Sequence, residues 1–354
     1  MPQLERVLIS NRGEIAIRIV KAASALGMES VGVYPAADSL SLHTRLASSA
    51  VQIGNGAPDD PVAAYLDAEA LVAAAQRSGC DCVHPGYGFL AENADFAQRC
   101  ADAGLAFVGP PPAALSLFGD KVRSRQLAAS LDIPVVPGSD DPVPSASDAA
   151  DLAGLLGYPV MLKAAAGGGG RGMRRVTSAD SMAEAFARCR SEAEAAFGTG
   201  AVFLEKLIER PRHIEVQVLA DNDGNVVHLH ERDCSVQLRN QKVIETAPAP
   251  GLDADLRDRI LADAVKLVAA AGYANAGTVE FLVVPETGEH FFIECNARIQ
   301  VEHTVTEQVT GIDLVEAQFR IAAGATLASA TRTRSARRAA PPSRPGLSPV
   351  APER

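Results

Sequence analysis

Polar and apolar side chains alternate strictly over residues 294–302, which read Glu-Cys-Asn-Ala-Arg-Ile-Gln-Val-Glu. Alternate side chains of an extended chain point to one face, so this spacing predicts a strand with one polar and one apolar face. The polar face would carry two carboxylates, two amides and a guanidinium. These groups can bind a metal ion, bind an anion and accept a proton, whereas a solvated strand face is the simpler alternative.

A further carboxylate, that of Glu280, is expected next to Glu294. Glu280 lies in a strand-like run at 277–282, and the turn Glu-Thr-Gly at 286–288 would fold this run back onto Glu294. A three-residue hairpin loop that ends in Gly places Glu280 directly opposite Glu294. Like charges in that position repel unless a cation lies between them, and Mg²⁺ binds carboxylates together with substrate phosphates. We therefore expect a Mg²⁺ site there, with a further oxygen from Asn296; exposure of both carboxylates is the alternative.

A glycine-rich loop follows a strand-like segment at 159–162. It reads Lys-Ala-Ala-Ala-Gly-Gly-Gly-Gly-Arg-Gly-Met-Arg over residues 163–174. The loop is not a Walker A motif, because Lys163 precedes the glycines and no Gly-Lys-Ser/Thr follows. Glycine lets backbone N–H groups approach phosphate oxygens closely, so a fixed lysine with a glycine loop beyond it predicts a lid over nucleotide phosphates. A flexible linker is the alternative.

Length, charge and cysteine usage limit the classes of function. The chain has 354 residues, with 47% hydrophobic and 21% charged residues, which suits two or three ordinary globular domains. Its net charge of -10 argues against nucleic acid as the main partner, because phosphate backbones are bound through basic surfaces. No signal pattern or membrane-spanning apolar run occurs, so no membrane partner is expected. The six cysteines form no Cys-x-x-Cys pair and predict reduced thiols in a cytoplasmic protein.

The elements that must position these groups indicate an α/β fold. A strand at 6–10, a helix at about 15–26 and a strand at 30–34 form a β-α-β unit, which predicts a parallel sheet with a right-handed crossover. Ligand crevices lie beyond the carboxyl ends of such strands, so the glycine-containing loop at 84–88 is a candidate wall of the site, with tight turns alone as the alternative. The further predicted elements are a helix at 120–131, a connector at 134–144, helix, strand, loop, strand and helix over 152–197, short strands over 202–295 with a helix at 255–271, and a helix at 305–324.

Eight motifs lie in order along the chain, at residues 9–18, 84–93, 119–121, 163–174, 205–206, 211–215, 231–235 and 298–303. Together they resemble the biotin carboxylase component of biotin-dependent carboxylases, a member of the ATP-grasp superfamily. The resemblance runs from residue 4 to about residue 327. It implies a Rossmann-like N-terminal parallel-sheet domain at 1–115 and an ATP-grasp α+β domain with a glycine-rich lid at 116–330, the lid subdomain being at about 135–204.

The resemblance implies a reaction in which ATP phosphorylates bicarbonate and the resulting carboxyphosphate supplies CO2 to the ureido nitrogen of biotin. It implies that Glu302 is the general base, with Lys242 and Arg298 as further catalytic residues. Bicarbonate would be bound by Lys242, Arg298, Gln300 and the backbone of Val301. Magnesium, or manganese, would be bound by Glu280, Glu294 and Asn296. The implied ATP-binding residues are Lys121, Lys163, Gly168, Gly169, Gly170, Glu205, Lys206, His213, Gln237 and Asn240.

Three departures from the family pattern affect what the resemblance implies. Ala165 and Ala166 stand where many relatives have Ser and Gly, and Asn240 stands where many have His, so contacts to phosphate and ribose are expected to differ. The family continues into a further domain that frames the biotin site, contributes a catalytic arginine and makes much of the dimer contact. Residues 331–354 instead contain six Arg, five Pro and one Glu, a composition that predicts a disordered tail, with a nucleic-acid-binding arm as the alternative. We therefore expect a chain truncated before that domain, which binds Mg-ATP but carboxylates biotin weakly and has no firm basis for a homodimer.

The partners follow from what the chain lacks. It has no Ala-Met-Lys-Met site for attachment of biotin, so biotin is expected as a substrate on a separate biotin carboxyl carrier protein, with a carboxyltransferase subunit as a second partner. Two other functions stay open. One is a bicarbonate-phosphorylating ligase of the carbamoyl-phosphate synthase type, against which the run at 298–303 argues. The other is an inactive nucleotide-binding fragment.

Overall fold

Three β-sheets organise the chain in the computed structural model, which describes residues 4–54, 61–164, 172–239, 241–331 and 346–349. The first sheet is parallel, and the other two are antiparallel. The predicted α/β fold, with a parallel N-terminal sheet and antiparallel sheets after it, is confirmed. No helix among the described residues is long and apolar enough to cross a bilayer. All six cysteines are buried and free, as predicted.

The N-terminal sheet has five parallel strands in the order β3-β2-β1-β4-β5. Its central strands are apolar and buried, as is usual for a parallel sheet covered on both faces. The predicted β-α-β unit at the start of the chain is confirmed, because β1 pairs with β2 in parallel. The strands are β1 Arg6–Ile9, β2 Glu29–Tyr34, β3 Ser49–Gln52, β4 Cys82–His84 and β5 Ala106–Phe107, and the helices are α1 Gly13–Ala25, α2 Leu42–Leu46, α3 Pro61–Tyr65, α4 Ala68–Arg77 and α5 Ala94–Asp102, with a 3₁₀ turn at Ala36–Asp38.

Two helices and an extended connector lead into the second half of the chain. Helix α6 spans Pro112–Gly119 and helix α7 spans Lys121–Ser130, where the Asp120 side chain caps α7 by accepting two backbone N–H bonds. The connector then contacts both antiparallel sheets, through Val135 beside Phe292 and through residue 138 beside Glu205.

A three-stranded antiparallel sheet, in the order β7-β6-β8, forms a unit with its own hydrophobic core. The predicted helix, strand, strand and helix are confirmed, and residues 165–171 between the two strands lie outside the described residues. The glycines Gly168, Gly169 and Gly170 lie outside the described residues. The elements are α8 Ala146–Leu156, β6 Val160–Ala164, β7 Met173–Val176, a 3₁₀ turn at Ala179–Ser181, α9 Met182–Phe197 and β8 Val202–Lys206.

The largest sheet has six strands in the order β13-β12-β9-β10-β11-β14. One face packs against a long helix, α10 Ala254–Ala270, through a core that includes Val216, Val279 and Ile260. The opposite face carries the polar residues predicted to form the site. The strands are β9 Arg212–Ala220, β10 Val226–Leu238, β11 Gln241–Ala247, β12 Asn275–Val283, β13 His290–Asn296 and β14 Gly346–Pro349.

Three predicted elements differ from the structure. The strand predicted over 294–302 ends at Asn296, and the chain then turns into a helix that begins at His303. The single helix predicted at 305–324 is divided where Gly311 adopts a φ of +70°, a left-handed conformation that ends a helix. Disorder was predicted for the whole tail, but Gly346–Pro349 pairs with β11; the rest of 332–354 lies outside the described residues. The last helices are α11 His303–Thr310, α12 Leu314–Ala322 and α13 Leu327–Ala330.

Candidate active site

The ammonium group of Lys242 lies at the centre of the polar face and contacts three carboxylates. Its Nζ donates to Glu280 Oε1 at 2.9 Å, to Glu302 Oε1 at 2.8 Å and to Glu215. Burial opposes the charge on Lys242, but the three carboxylates prevail and raise its pKa well above the usual value. The candidate base and one candidate metal ligand are therefore joined through one cation.

A row of charged residues crosses four strands beneath this cation. Glu294 of β13 pairs with Glu280 of β12, which pairs with Glu215 of β9, which pairs with Arg232 of β10. The predicted pairing of Glu280 with Glu294 is confirmed. The predicted three-residue loop is wrong, because the loop spans 284–289; a bulge between Glu280 and Phe281 restores the register.

Arg232 is fully buried beneath the site and is the group that sequence reasoning missed most clearly. Its Nε donates to Glu215 Oε1 at 2.6 Å, and its Nη2 donates to Gln300 Oε1 at 2.9 Å. A buried guanidinium with acceptors on several elements holds them in one arrangement. The only sequence signal was its place in the motif at 231–235, which on its own is weak. Its remaining acceptors are Gln217, Thr278 and Thr306.

The turn after Asn296 brings Glu302 to Lys242, although the predicted strand does not extend that far. Gln300 donates from Nε2 to Glu280 Oε1 at 3.0 Å, and His303 Nδ1 lies 2.7 Å from the Gln300 carbonyl oxygen. Burial lowers the pKa of His303 to about 4, so this ring is neutral near pH 7. Glu302 and Gln300 are both buried, whereas Val301 between them is exposed.

The three predicted metal ligands are neighbours on adjacent strands. Asn296 donates from Nδ2 to Glu280 Oε1 at 2.8 Å. Burial and the charge of Glu280 raise the pKa of Glu294, which forms no ion pair with another described residue. A carboxylate without an ion pair, beside a second carboxylate and an amide side chain, fits a hard dication. The described residues also hold two groups of potential ligands whose atoms all lie within 4.8 Å of one another, His213 with Glu215 and Glu280, and Glu215 with Cys234 and Glu302.

The predicted nucleotide residues fall into two groups. His213 Nε2 lies 2.6 Å from Glu280 Oε2, and Gln237 donates from Nε2 to His213 Nδ1 at 2.9 Å, so these two residues adjoin Glu280, one of the predicted metal ligands. In the three-stranded sheet the Lys163 ammonium group forms an ion pair with the Glu205 carboxylate. Two other predicted residues lie apart from these pairs. Lys206 donates to the Gly157 carbonyl oxygen, and Lys121 is exposed at the start of α7. Asn240 lies outside the described residues.

Glu245 of β11 is a second residue that sequence reasoning missed. It is fully buried, and neither carboxylate oxygen has a hydrogen-bond partner among the described residues. Burial, with the charges of Glu302 and Glu215, raises its pKa from 4.5 to about 7. A buried carboxyl without a donor is unfavourable when it is charged.

Glu245→Gln is expected to remove a pH-dependent loss of stability. Because the pKa of this acid is raised in the folded protein, its unfavourable contribution is absent below pH 4.5 and develops as the pH rises to about 7. Between pH 4.5 and pH 8 the parent chain should lose about 1–3 kcal/mol relative to the variant. Urea unfolding of both at pH 5 and pH 8 measures this, with the exposed Glu286→Gln as control. An equal difference at both pH values would contradict it.

Arg298 is held by a residue of the N-terminal part of the chain. Its Nε donates to Glu92 Oε2 at 2.9 Å, and its Nη2 donates to Asn296 Oδ1 at 2.8 Å. Glu92 lies in the motif at 84–93, beyond the loop at 84–88 that was predicted as a site wall, and no role was predicted for it. This ion pair therefore joins the residue predicted to bind the anion to the N-terminal part of the chain.

Both halves of the chain match known protein families. Residues 3–115 match the family described as biotin carboxylase, N-terminal domain, and residues 120–330 match the ATP-binding domain of the carbamoyl-phosphate synthase L chain. A crystal structure of a biotin carboxylase–β,γ-ATP complex from Campylobacter jejuni is 45% identical, with a TM-score of 0.88 over 92% of this chain and 72% of that chain.

Two further relatives extend the comparison. The biotin carboxylase domain of 2-oxoglutarate carboxylase from Hydrogenobacter thermophilus, in complex with MgADP, ADP and bicarbonate, is 44% identical, with a TM-score of 0.88 over 94% of this chain and 73% of that chain. Pyruvate carboxylase 1 from Caenorhabditis elegans is 53% identical over 92% of this chain. The chain spans only 27% of the length of that curated relative.

Proposed function

The chain belongs to the biotin carboxylase family, and from this premise we propose that it uses Mg-ATP and bicarbonate to carboxylate biotin. The observation that carries the proposal is the contact of Lys242 with Glu280 and Glu302. This contact brings a candidate base and a candidate metal ligand together at one face of the sheet. The solved relatives bound to a nucleotide and to bicarbonate support the same assignment.

In this proposal Glu302 takes the proton of bicarbonate. The carboxylate is buried, and its Oε1 accepts a hydrogen bond from Lys242 Nζ at 2.8 Å. Deprotonation makes bicarbonate a better nucleophile towards the γ-phosphorus of ATP. The bond from that phosphorus to the bridging oxygen of ADP breaks, which gives ADP and carboxyphosphate.

The cations of the site would bind the anions in this step. Lys242 and Arg298 supply positive charge for bicarbonate, together with Gln300 and the backbone of Val301. Glu280, Glu294 and Asn296 would hold Mg²⁺ or Mn²⁺, which when bound neutralises phosphate charge. Fixed charges of this kind stabilise the transferred phosphoryl group without covalent help from the protein. The residues proposed for ATP are Lys121, Lys163, Gly168, Gly169, Gly170, Glu205, Lys206, His213, Gln237 and Asn240.

Domain limits and partners are part of the proposal. The family matches support a biotin carboxylase N-terminal domain at 1–115 and an ATP-grasp domain at 116–330. A lid subdomain at about 135–204 is part of the same proposal. The chain covers 28% of a complete multifunctional pyruvate carboxylase from Rhizobium etli. We propose a biotin carboxyl carrier protein and a carboxyltransferase as partners. The six buried thiols favour the cytoplasm as the location.

ATP hydrolysis with bicarbonate, with and without free biotin, tests the proposal. Biotin-stimulated release of phosphate is the result expected. Carbamoyl phosphate formed with ammonia would instead support a carbamoyl-phosphate synthase type of ligase. Nucleotide binding without any bicarbonate-dependent turnover would support a binding fragment.

A further inference from the structure

We infer that Glu92 is a positioning residue for bicarbonate, which acts by orienting the guanidinium of Arg298. The inference rests on the proposed function, because it assigns a role within the same site. Glu92 lies on the loop after β4, in the N-terminal part of the chain. Arg298 lies just after the end of β13, a strand of the largest sheet. The N-terminal part would thereby help to form the anion site.

Glu92 contacts the turn after β13 through both carboxylate oxygens. Its Oε2 accepts from Arg298 Nε at 2.9 Å, and its Oε1 accepts from the Ala297 backbone N–H at 3.2 Å. One carboxylate therefore fixes both the side chain of Arg298 and the backbone just before it. A charge-assisted bond of this geometry favours one orientation of the guanidinium plane.

The contacts of Arg298 leave part of its guanidinium available. Arginine has five N–H donors. Nε donates to Glu92, Nη2 donates to Asn296 Oδ1 at 2.8 Å, and Nη1 donates to the Ile299 carbonyl oxygen at 3.2 Å. One hydrogen on each Nη then has no acceptor among the described residues. Two such donors suit a planar oxyanion, since a guanidinium matches carboxylate-like geometry.

The loop that carries Glu92 is held firmly. Asn11 donates from Nδ2 to the carbonyl oxygens of Pro85 and Tyr87, both at 2.7 Å. The Tyr87 hydroxyl donates to Glu14. Asn93, next to Glu92, caps α5 by accepting the Phe96 backbone N–H at 2.7 Å. These bonds fix both sides of Glu92, so its carboxylate has a defined place from which to orient Arg298.

Without Glu92 the guanidinium has competing partners. Arg298 is within the electrostatic influence of Glu280 and Glu302. Loss of the Glu92 carboxylate would leave it free to turn towards them. In that position it would neutralise a proposed metal ligand or the proposed base, and it would no longer present its two donors to the anion.

Calorimetric titration of bicarbonate into the full chain with MgADP tests the inference. Glu92→Ala is expected to weaken bicarbonate binding about 10-fold to 100-fold, with MgADP affinity unchanged. Glu92→Asp, which keeps the charge, should recover part of the loss. In an Arg298→Ala background the Glu92 substitution should have no further effect. Asp95→Asn, one turn away on α5, is the matched control.

Additive losses in the double variant, or equal bicarbonate affinity in Glu92→Ala and the parent chain, would overturn the inference. A crystal structure of Glu92→Ala gives an independent readout. Displacement of the Arg298 guanidinium supports the positioning role, and an unmoved guanidinium overturns it. Failure of the parent chain to bind bicarbonate would count against the proposed function, while the crystal structure would still decide the role of Glu92.

Discussion

Replacement of Glu302 by Gln is expected to lower bicarbonate-dependent phosphate release by about 10²–10⁴-fold, the usual contribution of a general base. The amide retains the size of the carboxylate but cannot accept the proton of bicarbonate. MgADP affinity should stay within about twofold, because Glu302 contacts Lys242 and none of the residues proposed for the nucleotide. Initial rates at saturating ATP, with calorimetry of MgADP, measure both quantities.

Glu286→Gln is the control, because it removes one carboxylate charge at an exposed position. A Glu302→Gln variant that keeps more than about a tenth of the parent rate would contradict the role of general base. Loss of nucleotide affinity in the same variant would indicate that Glu302 supports the structure of the site instead.

Lys242→Met is expected to lower the free energy of unfolding by about 3–5 kcal/mol at pH 8, because it leaves buried carboxylates without their shared cation. Lys242 lowers the pKa of Glu280 and of Glu215, although burial alone would raise both. In the variant these buried carboxylates lack that cation, so burial acts to raise their pKa values. A carboxylate with a raised pKa destabilises the folded protein at high pH but not below its unfolded pKa. The difference between parent and variant should therefore shrink as the pH approaches 4.5, the ordinary pKa of Glu.

Urea unfolding in EDTA at pH 5 and pH 8 checks this result. Lys266→Met is the matched control, because Lys266 Nζ donates to the backbone carbonyl oxygen of Leu131 and contacts no carboxylate in the described structure. Equal stability of Lys242→Met and the parent chain at pH 8 would show that the three carboxylates do not depend on Lys242. A loss of equal size at both pH values would indicate lost packing of the side chain.

Local periodicity was enough to predict the part of the site that lies within regular strands. The pairing of Glu280 with Glu294 follows from a hairpin between two strand patterns, and it is observed despite the wrong loop length. The parallel N-terminal sheet follows in the same way from a strand, helix, strand pattern. In both cases the deciding contacts are between segments close together in the sequence.

The remaining residues depend on contacts that no local pattern encodes. Period two would have continued the strand to residue 302, but buried hydrogen bonds of Gln300 to Arg232 and Glu280 favour a turn after Asn296. The partners of Arg232 lie on other strands, in the turn after β13 and on α11, so its role appears only when these elements are assembled. Glu92 and Arg298 are likewise about two hundred residues apart in sequence.

Transfer of ¹⁸O from labelled bicarbonate to phosphate tests the central claim most directly. If bicarbonate attacks the γ-phosphorus, the attacking oxygen stays on phosphorus when carboxyphosphate releases CO2. The phosphate formed by the full chain with Mg-ATP should then contain one oxygen atom from bicarbonate. Phosphate whose new oxygen comes only from water would show that the chain hydrolyses ATP without activating bicarbonate, and would contradict the account.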